Sequence, residues 1–225
     1  MAGDQTNVLL DLESCCGELG IELGEGAAAG MRAFWRMVLE ANAYMNLTRI
    51  TADEEAVLKH FTDSLTVLLT GLLAPGCRVA DVGTGAGFPG VPLKLARPDV
   101  PVLLVDATLK RVRFLETVIR RFGWSDVKAV HGRAEDLARD PAMAGAFDVA
   151  TARAVASLDK LVLWCVPLLR PGGHLVAMKG PEVEDELAEA GRALARRGAA
   201  VEDVRRLELP RGAGRRTLVV IRRER

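Results

Sequence analysis

At Arg78 the period of the hydrophobic pattern changes. From there, short apolar runs (Val79 to Val82, Val102 to Val105, Val127 to Val130, Phe147 to Thr151 and Leu175 to Met178) alternate with helix-length segments. Runs this continuously apolar suit parallel strands buried on both faces, and the alternation calls for crossover helices that cover the sheet. Pro171-Gly172-Gly173 is expected to end a helix ahead of the fifth strand, and two β-rich stretches, Val201 to Leu209 and Arg216 to Ile221, can finish the sheet. The fold class expected is α/β, doubly wound and mostly parallel.

Ahead of this unit the pattern is helical. Phe34, Trp35, Val38, Leu39 and Met45 recur at helical spacing between Met31 and Met45, which predicts an amphipathic helix against a core. A second helix is expected to start at Thr51, where Thr51-Ala-Asp-Glu54 reads as a capping box, with Leu58, Phe61, Leu65, Leu68 and Leu72 along one face. A chain of 225 residues can bury one sizeable core but scarcely two. Residues 1–75 are therefore expected to form a helical cover, its first 30 or so residues loosely ordered, over a domain spanning 76–225, the two making one compact unit.

Composition narrows the location and chemistry. The chain has neither a signal-peptide pattern nor an apolar run long enough to span a bilayer, so a cytoplasmic protein without a membrane partner is expected. Cys15, Cys16, Cys77 and Cys165 form no C-x-x-C pair, so reduced thiols and no metal are expected. Lysine plus arginine balances aspartate plus glutamate at 30 each. Asp4, Asp11, Glu13, Glu18, Glu22 and Glu25 precede the first basic residue, Arg32, whereas basic residues gather between Lys110 and Arg133 and from Arg192 onward. That asymmetry permits a basic face for nucleic acid, and equally a solvated surface.

The first strand runs into Asp81-Val-Gly83-Thr-Gly85-Ala-Gly87-Phe88-Pro89-Gly90, a turn whose glycines let backbone approach a ligand. The G-x-G-x-G spacing differs from the G-x-G-x-x-G of dinucleotide sites. Asp81 would repel two phosphates but suits a cationic amino group. Asp106, about 20 residues further on at the end of the second strand, suits ribose hydroxyls. Together these favour S-adenosylmethionine over a dinucleotide.

Several blocks then become recognisable: Asn46-Leu-Thr48-Arg49-Ile50, Lys59-His60-Phe-Thr-Asp63-Ser64-Leu65, Asp81 through Gly90, Gly132-Arg133-Ala134-Glu135, Thr151-Ala-Arg153-Ala154, and Pro171-Gly-Gly173 through Lys179-Gly180. Jointly they closely resemble the RsmG (GidB) family, guanine-N7 methyltransferases of small-subunit (16S) ribosomal RNA, from about residue 30 to the C-terminus. The resemblance implies a Rossmann-like class I methyltransferase sheet with an N-terminal helical extension. It also implies cofactor contacts from Gly83, Phe88, Ala134, Glu135 and Arg153, to which the motif adds Asp81, Gly85, Gly87 and Asp106. Phe88 can close over the methionine end, and Arg153 is expected on the methionine carboxylate or on an RNA phosphate. One departure is Ala107, where the family often has serine.

Guanine N7 carries a lone pair and no proton, so attack on a sulfonium methyl needs no general base and no catalytic residue is singled out. Neither a pyrimidine-C5 nucleophile nor an N/D-P-P-Y-like stretch is present, and Cys165 sits in an apolar helix. N7 faces the major groove, unreachable in A-form RNA, so an unpaired guanine is the expected target, in ribosomal RNA or a small-subunit particle. No obligate protein partner is inferred. Lys110, Arg111, Arg113, Arg133 and Lys179 are candidates for phosphate contacts, with a solvated helix face as the rival reading for the first three. His60, Asp63 and Ser64 share a helical face and can wall the substrate side, although His60 paired with Ser64 on the surface is the plainer reading. Asn46, Thr48 and Arg49 can touch substrate or anchor a turn. The alternatives left open are a methyltransferase for another RNA or a small molecule, and a cofactor-binding, RNA-associated factor without turnover.

Overall fold

A computed structural model describes residue 9 and residues 11–225. Seven strands form one sheet: β1 (Val79–Val82), β2 (Val102–Asp106), β3 (Val127–His131), β4 (Phe147–Arg153), β5 (Leu169–Lys179), β6 (Ala199–Glu208) and β7 (Arg215–Arg223), in spatial order β3-β2-β1-β4-β5-β7-β6. The first five are parallel to their neighbours, and β7 inserts antiparallel between β5 and β6. The reversal between β1 and β4 places the carboxyl ends of β1, β2 and β4 around one crevice, the position where open α/β sheets bind ligands.

Helices α1 (Leu12–Glu18), α2 (Ala27–Met45), α3 (Asp53–Ala56) and α4 (Asp63–Leu65) precede the sheet. Helices α5 (Gly90–Ala96), α6 (Leu109–Phe122), α7 (Ala134–Leu137), α8 (Leu158–Cys165), α9 (Glu184–Glu189) and α10 (Gly191–Arg197) are interleaved with the strands. One apolar layer gathers Phe34 and Trp35 of α2, Phe61, and Leu115 of α6 with the strand residues Val79 and Leu104; the other gathers Leu158, Leu161 and Cys165 of α8 with Ala80, Ala150 and Leu175. Strand β1 is buried at every position because both layers press on it. Edge strand β3, by contrast, leaves Lys128 and His131 exposed.

Residues 11–30, which apart from Leu9 are the described part of the N-terminal segment expected to be loosely ordered, are packed on the fold. Asp4 lies outside the described residues, but α1 is packed, with Leu12, Cys15 and Cys16 fully buried, and Arg211 Nη1 pairs with Asp11 at 2.8 Å. The absence of a helical period in so short a segment hid three inward-facing side chains.

Two local expectations are corrected. The capping box does not form: the helix starts at Asp53, Ala52 is its N-cap without a side-chain bond, and the Asp53 carboxylate instead accepts the Trp35 indole N–H at 2.6 Å. Pro171-Gly172-Gly173 does not end a helix; α8 stops at Cys165, a 3₁₀ turn covers Val166–Leu168, and the Pro-Gly-Gly lies inside β5 beside a register irregularity against β4. Gly173 is required there because a Cβ would stand 2.9 Å from the Asp148 carbonyl oxygen.

Between α3 and α4 the chain makes a π turn, Val57–Thr62, that carries His60. Such turns are rare single-turn interruptions of α-helices and are frequent at functional sites.

Candidate active site

The turn after β1 is held from behind. Asp81 is fully buried; one carboxylate oxygen accepts the Gly90 N–H at 2.8 Å, and the other accepts the Thr151 hydroxyl of β4 at 3.1 Å. Gly90 must lack a Cβ, which would sit 2.8 Å from the Asp81 carboxylate and 2.4 Å from Leu104. Burial outweighs these bonds and pushes the Asp81 carboxyl up to about 6. Asp81 was expected to face a ligand's ammonium group; in the structure it has no surface and instead ties the turn to α5 and β4.

In front of the turn lies a cavity of about 220 Å³, lined by Val82, Gly83, Val105, Asp106, Ala107, Gly132, Arg133, Ala134, Glu135, Val155 and Trp164. Gly83, Asp106, Ala134 and Glu135, drawn from β1, β2 and the start of α7, therefore meet around one space. Asp106 accepts the Gly85 N–H at 2.9 Å and the Thr108 N–H at 2.8 Å, with Arg111 3.5 Å away. Two carboxylate oxygens offer about four lone-pair sites, so capacity remains for ligand hydroxyls. Gly83 is in the left-handed region (φ 71°), and a Cβ there would stand 2.5 Å from Val155 Cγ2. Val155 and Trp164 were missed by sequence reasoning; the only signal was an apolar residue following Ala154, whose φ of 54° is uncommon outside glycine.

A carboxylate beside a glycine turn, with Ala107, Val155 and Trp164 as apolar walls, is the donor set of a nucleoside site. It fits the adenosine half of S-adenosylmethionine. Gly87, Phe88 and Arg153 do not line this cavity. A Cβ at Gly87 would meet Val91, Leu115 and Phe34, so that glycine serves packing. Phe88 is buried, stacked on His60 with ring centroids 4.5 Å apart, and tilted against Phe34 at 5.3 Å.

Beside the cavity, a polar knot joins the N-terminal helices to the sheet. Arg153 Nη1 donates to the carbonyls of Lys59 (3.2 Å) and His60 (3.3 Å) at the π turn and to Asp63 Oδ2 at 3.0 Å, with its guanidinium 5.4 Å from the Phe88 ring centroid. Arg216 Nε reaches Asp63 Oδ1 at 3.0 Å. His60 Nε2 lies 2.8 Å from Thr48 Oγ1, which also accepts the Ile50 N–H, while His60 Nδ1 is buried without a partner. Burial, reinforced by the Arg153 cation, pulls the His60 imidazole down to about 4, so it is neutral at physiological pH. Ser64 bonds the His60 carbonyl, not its ring.

The remaining candidates separate. Asn46 is the left-handed C-cap of α2 (φ 52°), and Asn42 Oδ1 accepts the Thr48 N–H. Arg49, Arg113 and Arg133 are exposed. Lys110 Nζ donates to the Met45 carbonyl at 2.9 Å. Lys179, expected at a phosphate, is instead fixed to Glu186 at 2.6 Å and to the Ala156 carbonyl at 2.7 Å, close to Val155. All four cysteines are buried and unpaired, and among the described residues no group of histidine, cysteine and carboxylate side chains is suited to hold a metal ion.

Known proteins share this fold. A solved structure of a SAM-dependent methyltransferase from Aquifex aeolicus matches with a TM-score of 0.53 at 21% identity, over 71% of this chain and 89% of that one. A ribosomal protein L11 methylase from Lactobacillus delbrueckii subsp. bulgaricus matches with a TM-score of 0.54 at 22% identity, over 74% and 79%. These establish the Rossmann-like fold of class I methyltransferases. Relatives named ribosomal RNA small subunit methyltransferase G, from Symbiobacterium thermophilum and Desulfitobacterium hafniense, are 45% and 44% identical, covering 95% and 90% of this chain and 89% and 84% of theirs. The family model described as rRNA small subunit methyltransferase G (GidB) matches residues 27–218, and the chain belongs to that family.

Proposed function

We propose that this protein transfers a methyl group from S-adenosylmethionine to N7 of a guanine in 16S ribosomal RNA, leaving S-adenosylhomocysteine. The observation that carries this reading is the meeting of Gly83, Asp106, Ala134 and Glu135 around one cavity at the carboxyl ends of the strands, in a chain of this family. When bound, the cofactor supplies an electrophilic sulfonium methyl. Asp106 takes ribose hydroxyls, the backbone around Gly83 and Gly85 approaches the ligand, and Ala134 and Glu135 hold the base. Asp81 keeps the turn in shape from behind.

Because N7 has a lone pair and no proton, the chain contributes orientation and a dry, pre-shaped surface, not a base. The knot beside the cavity suits that task. His60 is neutral, and the Asp63 carboxylate, shared by Arg153 and Arg216, offsets part of the positive charge that would repel a sulfonium. Arg49, Arg113 and Arg133 are available for phosphates of an unpaired RNA segment. In this reading residues 1–75 form a helical cover on a methyltransferase domain of residues 76–225. The protein works in the cytoplasm on ribosomal RNA or a small-subunit particle, without a metal. Among the described residues no helix is long and apolar enough to cross a membrane.

The test is tritium transfer from labelled S-adenosylmethionine to ribosomal RNA and to small subunits, followed by nucleoside analysis. Label recovered as 7-methylguanosine is the expected result. Cofactor binding with no label on RNA in any form would move the reading to another acceptor or to a non-catalytic factor.

A further inference from the structure

The opposite end of the strands carries a second charged cavity. It is about 410 Å³ and is lined by Ala138, Ala144, Gly145, Val166, Pro167 and Pro171 together with Arg196, Arg197 and Arg223. Gly145 precedes the start of β4, whereas Arg153 ends that strand. At 3.3 Å per residue the cavity is thus roughly 20 Å from the methyl-transfer site along the strand.

Three guanidiniums and no carboxylate line this space. Arg170, at the same end of the strands, by contrast pairs with Asp148. Among the described residues neither Arg196 nor Arg197 has a side-chain carboxylate within ion-pair distance, and Arg223 likewise faces no side-chain carboxylate but meets the main-chain oxygen of Arg225, the last residue of the sequence. Arg197 Nη2 donates to the Leu163 carbonyl at 2.9 Å, but its Nε–H is buried and has no acceptor. Arg223 Nη1 donates to the Leu169 carbonyl and Nε to the Arg225 main-chain oxygen at 2.6 Å, and a Cβ on Gly145 would stand 4.0 Å from that Nη1. Burial and the neighbouring Arg196 and Arg223 cations lower the affinity of Arg197 for its own proton, the response of like charges held together in a partly desolvated place. A buried orphan donor and three clustered cations that face no side-chain carboxylate both ask for an oxyanion, and guanidinium forks match the geometry of phosphate.

We infer that Arg196, Arg197 and Arg223 form a phosphate-binding site, remote from the cofactor cavity, that takes the phosphate oxygens of an RNA backbone or of a free phosphate compound. The apolar floor of Ala138, Val166, Pro167 and Pro171 supplies a low-dielectric wall that strengthens the interaction. The site stands on its own residues and does not depend on the acceptor of the methyl group.

The experiment compares the full-length chain with Arg196→Gln and with Arg196→Gln/Arg223→Gln. Native circular dichroism and unchanged affinity for S-adenosylhomocysteine establish that the variants fold. The probes are inorganic pyrophosphate, read by thermal shift, and a 16S ribosomal RNA fragment, read by binding at several salt concentrations. For the wild type we expect pyrophosphate to raise the melting temperature, and the double variant to abolish that rise. If the RNA backbone is the source, the slope of log Kobs against log salt falls by about 1 for each phosphate that the variant no longer neutralises. An abolished pyrophosphate effect with an unchanged RNA slope assigns the site to a free phosphate compound. No pyrophosphate effect on the wild type together with an unchanged RNA slope in the double variant overturns the inference.

Discussion

The carboxylate of Asp63 is shared by two arginines from distant parts of the chain: Arg153 at the end of β4 and Arg216 on β7, each 3.0 Å from a different oxygen. The three side chains are only 6–24% exposed. Removing the common partner of two partly buried cations leaves both uncompensated, at a cost of about 3 kcal/mol. Asp63→Asn should therefore lower the denaturant midpoint and release Arg153 from the π turn, with kcat falling more than affinity for S-adenosylhomocysteine. An unchanged midpoint and unchanged turnover would remove Asp63 from this role.

Asp81 and His60 titrate in one pH window with opposite signs. The folded-state pKa of Asp81 is raised to about 6, so its contribution to stability is present in acid and is lost as pH rises through about 6. The folded-state pKa of His60 is lowered to about 4, so its contribution is present above about 6.5 and is lost as pH falls through about 4. Between about pH 4 and 6.5 the two partly cancel. Asp81→Asn should steepen the loss of stability on acidification, and His60→Gln should make it shallower or reverse it. Urea unfolding at half-unit pH intervals measures this, and identical slopes in the three proteins would contradict both placements.

The same Asp81→Asn variant separates a positioning carboxylate from a ligand contact. Asn can still accept the Gly90 N–H, so affinity for S-adenosylmethionine should stay within about threefold of wild type, about 0.7 kcal/mol. A direct carboxylate–ammonium contact would cost more than tenfold on neutralisation. Asp81→Ala, which loosens the turn itself, should weaken cofactor binding without unfolding the chain.

Gly83 carries two constraints at once, a φ of 71° and the approach of Val155 Cγ2. Gly83→Ala should weaken S-adenosylmethionine by at least tenfold. Adding Val155→Ala relieves the clash but not the backbone strain of about 1 kcal/mol, so recovery should be partial. Full recovery would show that only the clash matters, and an unaffected Gly83→Ala would place the cofactor elsewhere.

These residues also show how far sequence reaches. The alternation after Val79, the glycine turn and Asp106 were legible because strand period and ligand-loop chemistry are local. Gly83, Asp106, Ala134 and Glu135, singled out by the motif and the family resemblance, line one cavity although they come from three separate elements, whereas Gly87, Phe88 and Arg153 do not line it. The role of Asp81 was not legible, because its partners Gly90 and Thr151 lie 9 and 70 residues away and only the folded chain closes the space around it. Val155 and Trp164 were missed because an apolar residue after a strand or on a helix face reads as core. The cap at Thr51 did not form: the helix begins one residue later, at Asp53, with Ala52 as its N-cap.

Lys179 provides the sharpest contrast between a charge that binds RNA and one that holds a loop. Its Nζ joins Glu186 and the Ala156 carbonyl, and Glu186 also accepts the Leu158 N–H at 2.7 Å, so one ion pair secures both ends of the segment following Val155. At 11% side-chain exposure it has little surface to offer a phosphate. Lys179→Met should lower the melting temperature and weaken S-adenosylmethionine several-fold by freeing Val155. The salt dependence of RNA binding should stay as it is, since this lysine neutralises no phosphate. Arg133→Gln, on an exposed side chain at the cavity mouth, should do the reverse, reducing the salt slope by about 1 with the melting temperature unchanged. If instead the Lys179 variant shows a reduced salt slope and keeps its cofactor affinity, this lysine touches RNA, and the loop after β4 must open to let it do so.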